Sequence, residues 1–537
     1  MVVDGSPQGS RALGLTMLVT LWWLSFWTIL GLCLGSFLNA VIYRIPRHHS
    51  LRVPLWSACP HCRCRIEWYD NLPIISFILL RGRCRHCAVP ISTRYLIIEA
   101  AMAIVVLMLL DAFLIGHVRR GLSASEFGLT DRLASDWPIL VSHIILFACL
   151  LAMSAIDLEH YWVDIRFTNL VTICGFVLHT LWTPKHSLEW TRPYDATAVM
   201  SLFAVVGLGI VWVYLARRPH YDPVATAESA ESVGEDAALL GTVSSTTGVR
   251  LESRTSQESG TSDSPTSIGG GPPISPAPPS RTAGWLGVLL LLGLFAVLVF
   301  VEVEHTPAKH APRALFPLVM FFLLIVSEST VSRDSDKTIM DAIHEERHTA
   351  RRTVLSELVL LLPAIVLGAI GLWIMSGDGE LPSRTSSALH GQVRFSNFAL
   401  LRHWTPLYGL ATAASGYIIA GAVGWAVRIV FTLLFGKEAF GMGDIHLMAA
   451  AGCVAGWPIV VLGFFLTCGL AMVGWIVSLP FKRTRALPLG PWLSLSFLIM
   501  VVFYEPIIQW PPISRAIVLT KSLTSENSQL PGRGFSP

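Results

Sequence analysis

Long apolar runs alternate with short polar breaks along most of the chain. A helix needs about 20 apolar residues to cross about 30 Å of hydrocarbon. Runs of that kind recur at 18–43, 96–116, 137–156, 165–183, 198–216, 284–303, 314–330, 354–376, 406–435, 458–480 and 491–510, with a shorter one at 445–456. The pattern predicts an all-α, polytopic transmembrane bundle. Two long breaks interrupt it. One, 46–95, is rich in Cys and Arg and reads as a small loop domain. The other, 218–283, is dominated by Ser, Thr, Gly and Pro, and reads as a disordered linker without a core.

Composition agrees with this reading. The 537 residues are 53% hydrophobic and 14% charged, whereas a soluble chain carries about 25% charged residues to cover its surface. Lipid must cover the rest. A net charge of +3 excludes a strongly basic nucleic-acid binder. Eighteen tryptophans suit anchoring at the bilayer interface. The apolar stretch Leu15 to Leu34 lacks a basic leader and a small-residue cleavage site, so it reads as a retained span.

Charge sets orientation. The loop from Arg44 to Arg94 holds nine arginines, which places it in the cytoplasm and the N-terminus outside. Counting spans then puts Lys482, Arg483, Arg485 and the mixed-charge patch 333–352 inside. Arg119 and Arg120 fall outside against the rule, outweighed by the nine.

Within the first loop, Cys59-Pro60-His61-Cys62 and Cys84-Arg85-His86-Cys87 form two CxxC knuckles separated by 21 residues. Each knuckle points two thiolates at one ion, and two knuckles complete a tetrahedral S4 site that favours Zn²⁺. A closed S4 shell is structural, and it folds a loop too short for its own core. Neighbouring arginines help keep the thiols ionised. Cys64 is a fifth thiol outside the set.

Two carboxylates, Asp157 and Asp444, end spans that the count brings to the same face. Such groups are costly near hydrocarbon and usually functional. Two carboxylates held together cannot both ionise cheaply, so one keeps its proton. The ionised one accepts a proton from water while the other polarises a peptide carbonyl, which is aspartic peptide hydrolysis. Gly441 and Gly443 flank Asp444 and permit backbone angles and close approach that a side chain would block. Plainer readings stand beside this one: Asp444 as a helix N-cap, Asp157 as a helix end at the headgroups. Asp164 fits a cap better than chemistry. Glu159, His160 and His446 are neighbours with a candidate supporting role.

Six ordered blocks carry a resemblance. They are GSFLNAVIYRIP at 35–46, the cysteine loop at 59–87, ISTRYLIIEA at 91–100, AIDLEHYWVD at 155–164, GKEAFGMGDIHLMAAAG at 436–452 and ALPLGPWLSL at 486–495. Together they resemble the prepilin peptidases, GxGD-type aspartic proteases of the bacterial inner membrane. The resemblance implies Asp157 and Asp444 as the catalytic pair and Cys59, Cys62, Cys84 and Cys87 as zinc ligands. It also implies type IV prepilin or pseudopilin precursors as substrates, cut on the cytoplasmic side. Many members also methylate the new N-terminus with S-adenosylmethionine; no glycine-rich nucleotide loop supports that from the residues themselves.

The chain departs from the family pattern in three places. Val163 stands where a proline is usual, and His446 where a lysine is common. The stretch 184–405 is a large insertion with four candidate spans. An even number of added spans keeps both aspartates on one face. The expected organisation is therefore a first span at 1–45, the loop at 46–95, bundle segments at 96–183 and 406–510 around the insertion, and a tail at 511–537. Two rivals remain open: a transporter or scaffold whose carboxylates relay ions, and an inactive relative that keeps the loop as a binding module.

Overall fold

A computed structural model describes residues 7–47, 49–51, 56–115, 122, 129–160, 163–182, 195–216, 350–376, 405–436, 440–478 and 489–509. The expected spans 284–303 and 314–330, the linker 218–283 and the tail 511–537 lie outside the described residues, as does nearly all of the patch 333–352. The chain divides into two units, 1–208 with 279–537, and 209–278. Of the second, only the helical residues 209–216 are described.

The described residues are almost wholly helical, and they contain no strand beyond two isolated β-bridges in the cysteine loop. Helix α1 spans Pro7–Arg44, and a single short turn, α2, spans Ile75–Leu79 within the loop. Then come α3 (Arg94–Leu110), α4 (Leu129–His160), α5 (Ile165–Leu181) and α6 (Asp195–Ala216). After the break follow α7 (Ala350–Ser376), α8 (Thr405–Phe435), α9 (Met442–Ala455), α10 (Trp457–Ser478) and α11 (Leu489–Gln509). Six of these helices are long and apolar enough to cross a membrane. The other ten expected spans all coincide with a helix.

Local chemistry sets the helix ends. Asp164 caps α5, its Oδ1 accepting the Arg166 N–H at 2.8 Å, as expected of a carboxylate before an apolar run. Helix α9 stops at Gly456, whose φ of 92° suits a residue without Cβ. Trp457-Pro458 then opens α10, with proline in a first turn where its missing N–H costs nothing.

Helix α3 is buried nearly all round; Ala100, Met102, Val106 and Leu109 have no exposed surface. It packs between α1 and α4. By contrast α5, α7, α8 and α10 present exposed Ile173, Val359, Leu434 and Phe465. A helix with an apolar outer face needs lipid as solvent. Close contact among helices comes from small residues. A Cβ on Gly416 of α8 would overlap the Gly452 carbonyl of α9, so these two backbones touch. Hydroxyl pairs add glue: Ser154–Ser494 joins α4 to α11 and Thr467–Ser496 joins α10 to α11, each at 2.7 Å.

Candidate active site

Asp157 lies one turn before the end of α4 and is 7% exposed. Its Oδ2 accepts the Gly490 N–H at 3.1 Å, an amide in the first turn of α11 that has no partner within its own helix. The Ser154–Ser494 bond lies one turn further along the same two helices, so it holds the α11 N-terminus against Asp157.

Asp444 lies in the first turn of α9. It is not the N-cap; that position is Gly441, which offers no side-chain cap. Helix α9 packs against α4 and α11, which brings the Asp157 carboxylate near enough for its charge to act on Asp444. The glycines act through space, not through special backbone angles. Gly441 has φ −66° and ψ 141°, open to any residue, but a Cβ there would stand 3.1 Å from Asp444 Oδ2. A Cβ on Gly443 would stand 2.8 Å from the Val163 Cβ. Val163, the departure from the family pattern, therefore packs directly on the GxGD turn.

The supporting candidates separate. Glu159 pairs with Arg94, whose Nη2 also donates to the Ala155 carbonyl at 3.1 Å. It braces the end of α4 where α3 begins. His446 is half-buried and two positions past Asp444; residues at i and i+2 of a helix do not face each other. The His160 side chain lies outside the described residues.

The four cysteines converge. The Sγ atoms of Cys59, Cys62, Cys84 and Cys87 all lie within 4.8 Å of one another, Cys59 and Cys87 at 3.9 Å. Thiolates about 2.3 Å from one zinc ion stand about 3.8 Å apart along tetrahedral edges, so the donor set fits that ion with no open position. The two knuckles repeat one backbone design. Arg63 N–H reaches the Cys59 carbonyl and Ala88 N–H the Cys84 carbonyl, both at 2.9 Å; Arg63 and Ala88 each have φ 56°. Backbone N–H groups of Cys87 and His86, not the arginines, pull the Cys84 thiol down to about 6. Arg85 is instead engaged by Asp70, Nε–Oδ2 2.7 Å and Nη2–Oδ1 2.6 Å.

Three residues that local sequence reading assigned no role position this assembly: Gly490, Arg94 and Glu99. Glu99 is 8% exposed on α3, and its Oε2 accepts the Ile74 N–H at 2.8 Å. Ile74 has φ 61°, an outlier for a β-branched residue. A lone carboxylate inside the apolar run ISTRYLIIEA was the available signal for Glu99. Gly490 and Arg94 act through contacts that no local spacing encodes.

Gly490 yields a direct test. A Cβ there would stand 2.7 Å from Asp157 Oδ2, so Gly490→Ala must displace the carboxylate. For a catalytic carboxylate, displacement of this size is expected to lower kcat by about 10- to 100-fold, with metal content unchanged.

Fold and site together define a polytopic helical membrane protein with a four-thiolate loop and a carboxylate pair drawn from separate helices. Residues 29–113 match the family model for the bacterial peptidase A24 N-terminal domain. The prepilin leader peptidase/N-methyltransferase of Burkholderia pseudomallei (strain 1026b) is 34% identical over 216 residues, 35% of this chain and 62% of its own. That of Myxococcus xanthus (strain DK1622) is 36% identical over 153 residues, 28% of this chain and 39% of its own. The type 4 prepilin-like proteins leader peptide-processing enzyme of Escherichia coli O78:H11 is 36% identical over 168 residues, 28% and 54% respectively. Over these stretches the chain is similar to the prepilin leader peptidases. It spans less than two thirds of the length of these curated relatives. No solved structure matches it.

Proposed function

We propose that this protein is an aspartic endopeptidase of the bacterial inner membrane that removes the leader from type IV prepilin-like or pseudopilin precursors. The observation that carries the reading is the packing of α9, with Asp444 in its first turn, against α4 and α11, which bear Asp157 and its Gly490 N–H partner. The pair divides the work of hydrolysis. The ionised carboxylate takes a proton from water as the oxygen attacks the scissile carbonyl. The protonated carboxyl gives its proton to the carbonyl oxygen. The tetrahedral adduct then collapses, and a proton passes to the departing amine. The Gly490 N–H holds the Asp157 carboxylate in place, and Gly441 leaves the approach to Asp444 open.

The nine arginines of 44–94 support a cytoplasmic side for the loop and the carboxylates, where the positively charged leader would meet them. The substrate's apolar segment lies against the spans. Cys59, Cys62, Cys84 and Cys87 hold zinc, which supplies folding energy to the loop and takes no part in hydrolysis.

N-methylation of the new N-terminus by S-adenosylmethionine is a second activity, and the Burkholderia and Myxococcus relatives, both named prepilin leader peptidase/N-methyltransferase, favour it. One experiment reads both. Co-expression with a type IV prepilin, followed by mass measurement of its N-terminus, is expected to show the leader gone and one methyl group added. A precursor that keeps its leader defeats the peptidase reading. A cleaved, unmethylated product defeats only the second.

A further inference from the structure

Arg428 is a cation inside the apolar helix α8, 4% exposed. Nε and Nη2 donate to Glu357 Oε2 and Oε1, each at 3.0 Å, and Nη1 donates to the Phe440 carbonyl at 2.5 Å. Glu357 belongs to α7, inside the insertion 184–405. Phe440 immediately precedes Gly441, the N-cap of α9. Its ring meets Phe464 of α10 edge-on, with centroids 5.6 Å apart and planes at 82°.

A buried ion pair is a poor source of stability, because desolvation offsets most of the attraction. Charges among membrane helices usually serve another purpose. The third bond points to that purpose. A fork already satisfied by one carboxylate makes a staple between α7 and α8 and nothing more. This fork also grips the peptide at the start of α9, where no side chain caps the helix. The next carbonyl, that of Gly441, accepts the first helical bond, from Ile445 N–H at 3.3 Å. Fixing the Phe440 carbonyl therefore fixes the angle at which α9 begins, and Asp444 stands in that first turn.

We propose that Glu357 and Arg428 are positioning residues, through which the insertion helix holds the GxGD turn and aims Asp444 at Asp157. This rests on the reading of Asp444 as catalytic. The insertion then contributes to the site without entering it.

The test uses the full chain in detergent with a prepilin-like peptide bearing its leader. Glu357→Gln, Arg428→Lys and the exchanged pair Glu357→Arg with Arg428→Glu are compared with Asp444→Asn. Bound metal and thermal melting report folding. The two single variants are expected to lose about 10- to 100-fold in kcat, with KM changed by less than about threefold. The exchanged pair restores opposite charges between α7 and α8 but cannot donate to the Phe440 carbonyl. It is expected to fold and remain as slow as the single variants. Wild-type turnover by the exchanged pair, or by the two single variants, overturns the proposal and leaves a plain staple. Should the exchanged pair not fold, Glu357→Gln and Arg428→Lys decide the matter. An inactive Asp444→Asn beside fully active Glu357→Gln refutes the positioning role alone. An active Asp444→Asn refutes the catalytic reading beneath it.

Discussion

Under the proposed reading, Asp157→Asn and Asp444→Asn are each expected to abolish leader removal, with a loss of at least about 10²- to 10⁴-fold, the usual contribution of a positioned acid or base. Asparagine matches aspartate in shape. Its carbonyl oxygen can still accept the Gly490 N–H at position 157, and at 444 it still fits the space left by Gly441. The bundle should fold, and bound zinc should stay at the wild-type level. What asparagine cannot do is accept a proton from water or donate one from a carboxyl group. The two single variants and the double variant should be equally slow, because one member cannot work without the other. Cleavage rates on a synthetic precursor check this, with metal content measured on the same samples. Normal processing by either variant removes the pair from the mechanism.

Replacement of any one of Cys59, Cys62, Cys84 or Cys87 by serine should empty the metal site and unfold the loop. Besides the Asp70–Arg85 pair and the Glu99–Ile74 bond, the loop has few ties. Among the described residues its secondary structure is one 3₁₀ turn, one helical turn and two isolated bridges, and Trp68 and Leu79 are 77% and 74% exposed. For structural zinc sites the binding free energy, about 10–16 kcal/mol in small domains, is in effect the folding free energy. Cys64→Ser should keep the metal, since Cys64 is outside the convergent set. Metal stoichiometry and limited proteolysis between residues 46 and 93 separate the two outcomes. Protection of the loop in a metal-free Cys87→Ser variant would show that the thiolates are not its scaffold.

Much of this architecture was legible along the chain. Spans follow from apolar run length, which a bilayer enforces more strictly than water does. The thiolate quartet follows from spacing, because each knuckle is local. The carboxylate pair needed one more step, the parity of the spans between them, and two of those spans lie outside the described residues. What could not be read was contact across helices. Arg428 and Glu99 are charges within apolar runs, but nothing nearby in the sequence names Phe440 or Ile74 as their partners. Gly490 sits in a block that carried the family resemblance, yet only the fold shows which carboxylate needs its missing side chain. His446 is next but one to Asp444 in the chain, and helical residues at i and i+2 do not face each other.

The shortness of α9 has a consequence for how a precursor reaches the site. Fourteen residues at about 1.5 Å each give about 21 Å, against a hydrocarbon core of about 30 Å. So short an apolar helix falls about 9 Å short of that core, a mismatch that a bilayer meets by thinning around it. Under the proposed peptidase reading, a precursor would reach Asp444 as unwound chain in that thinned zone, and the ease with which its sequence uncoils there would add to selectivity.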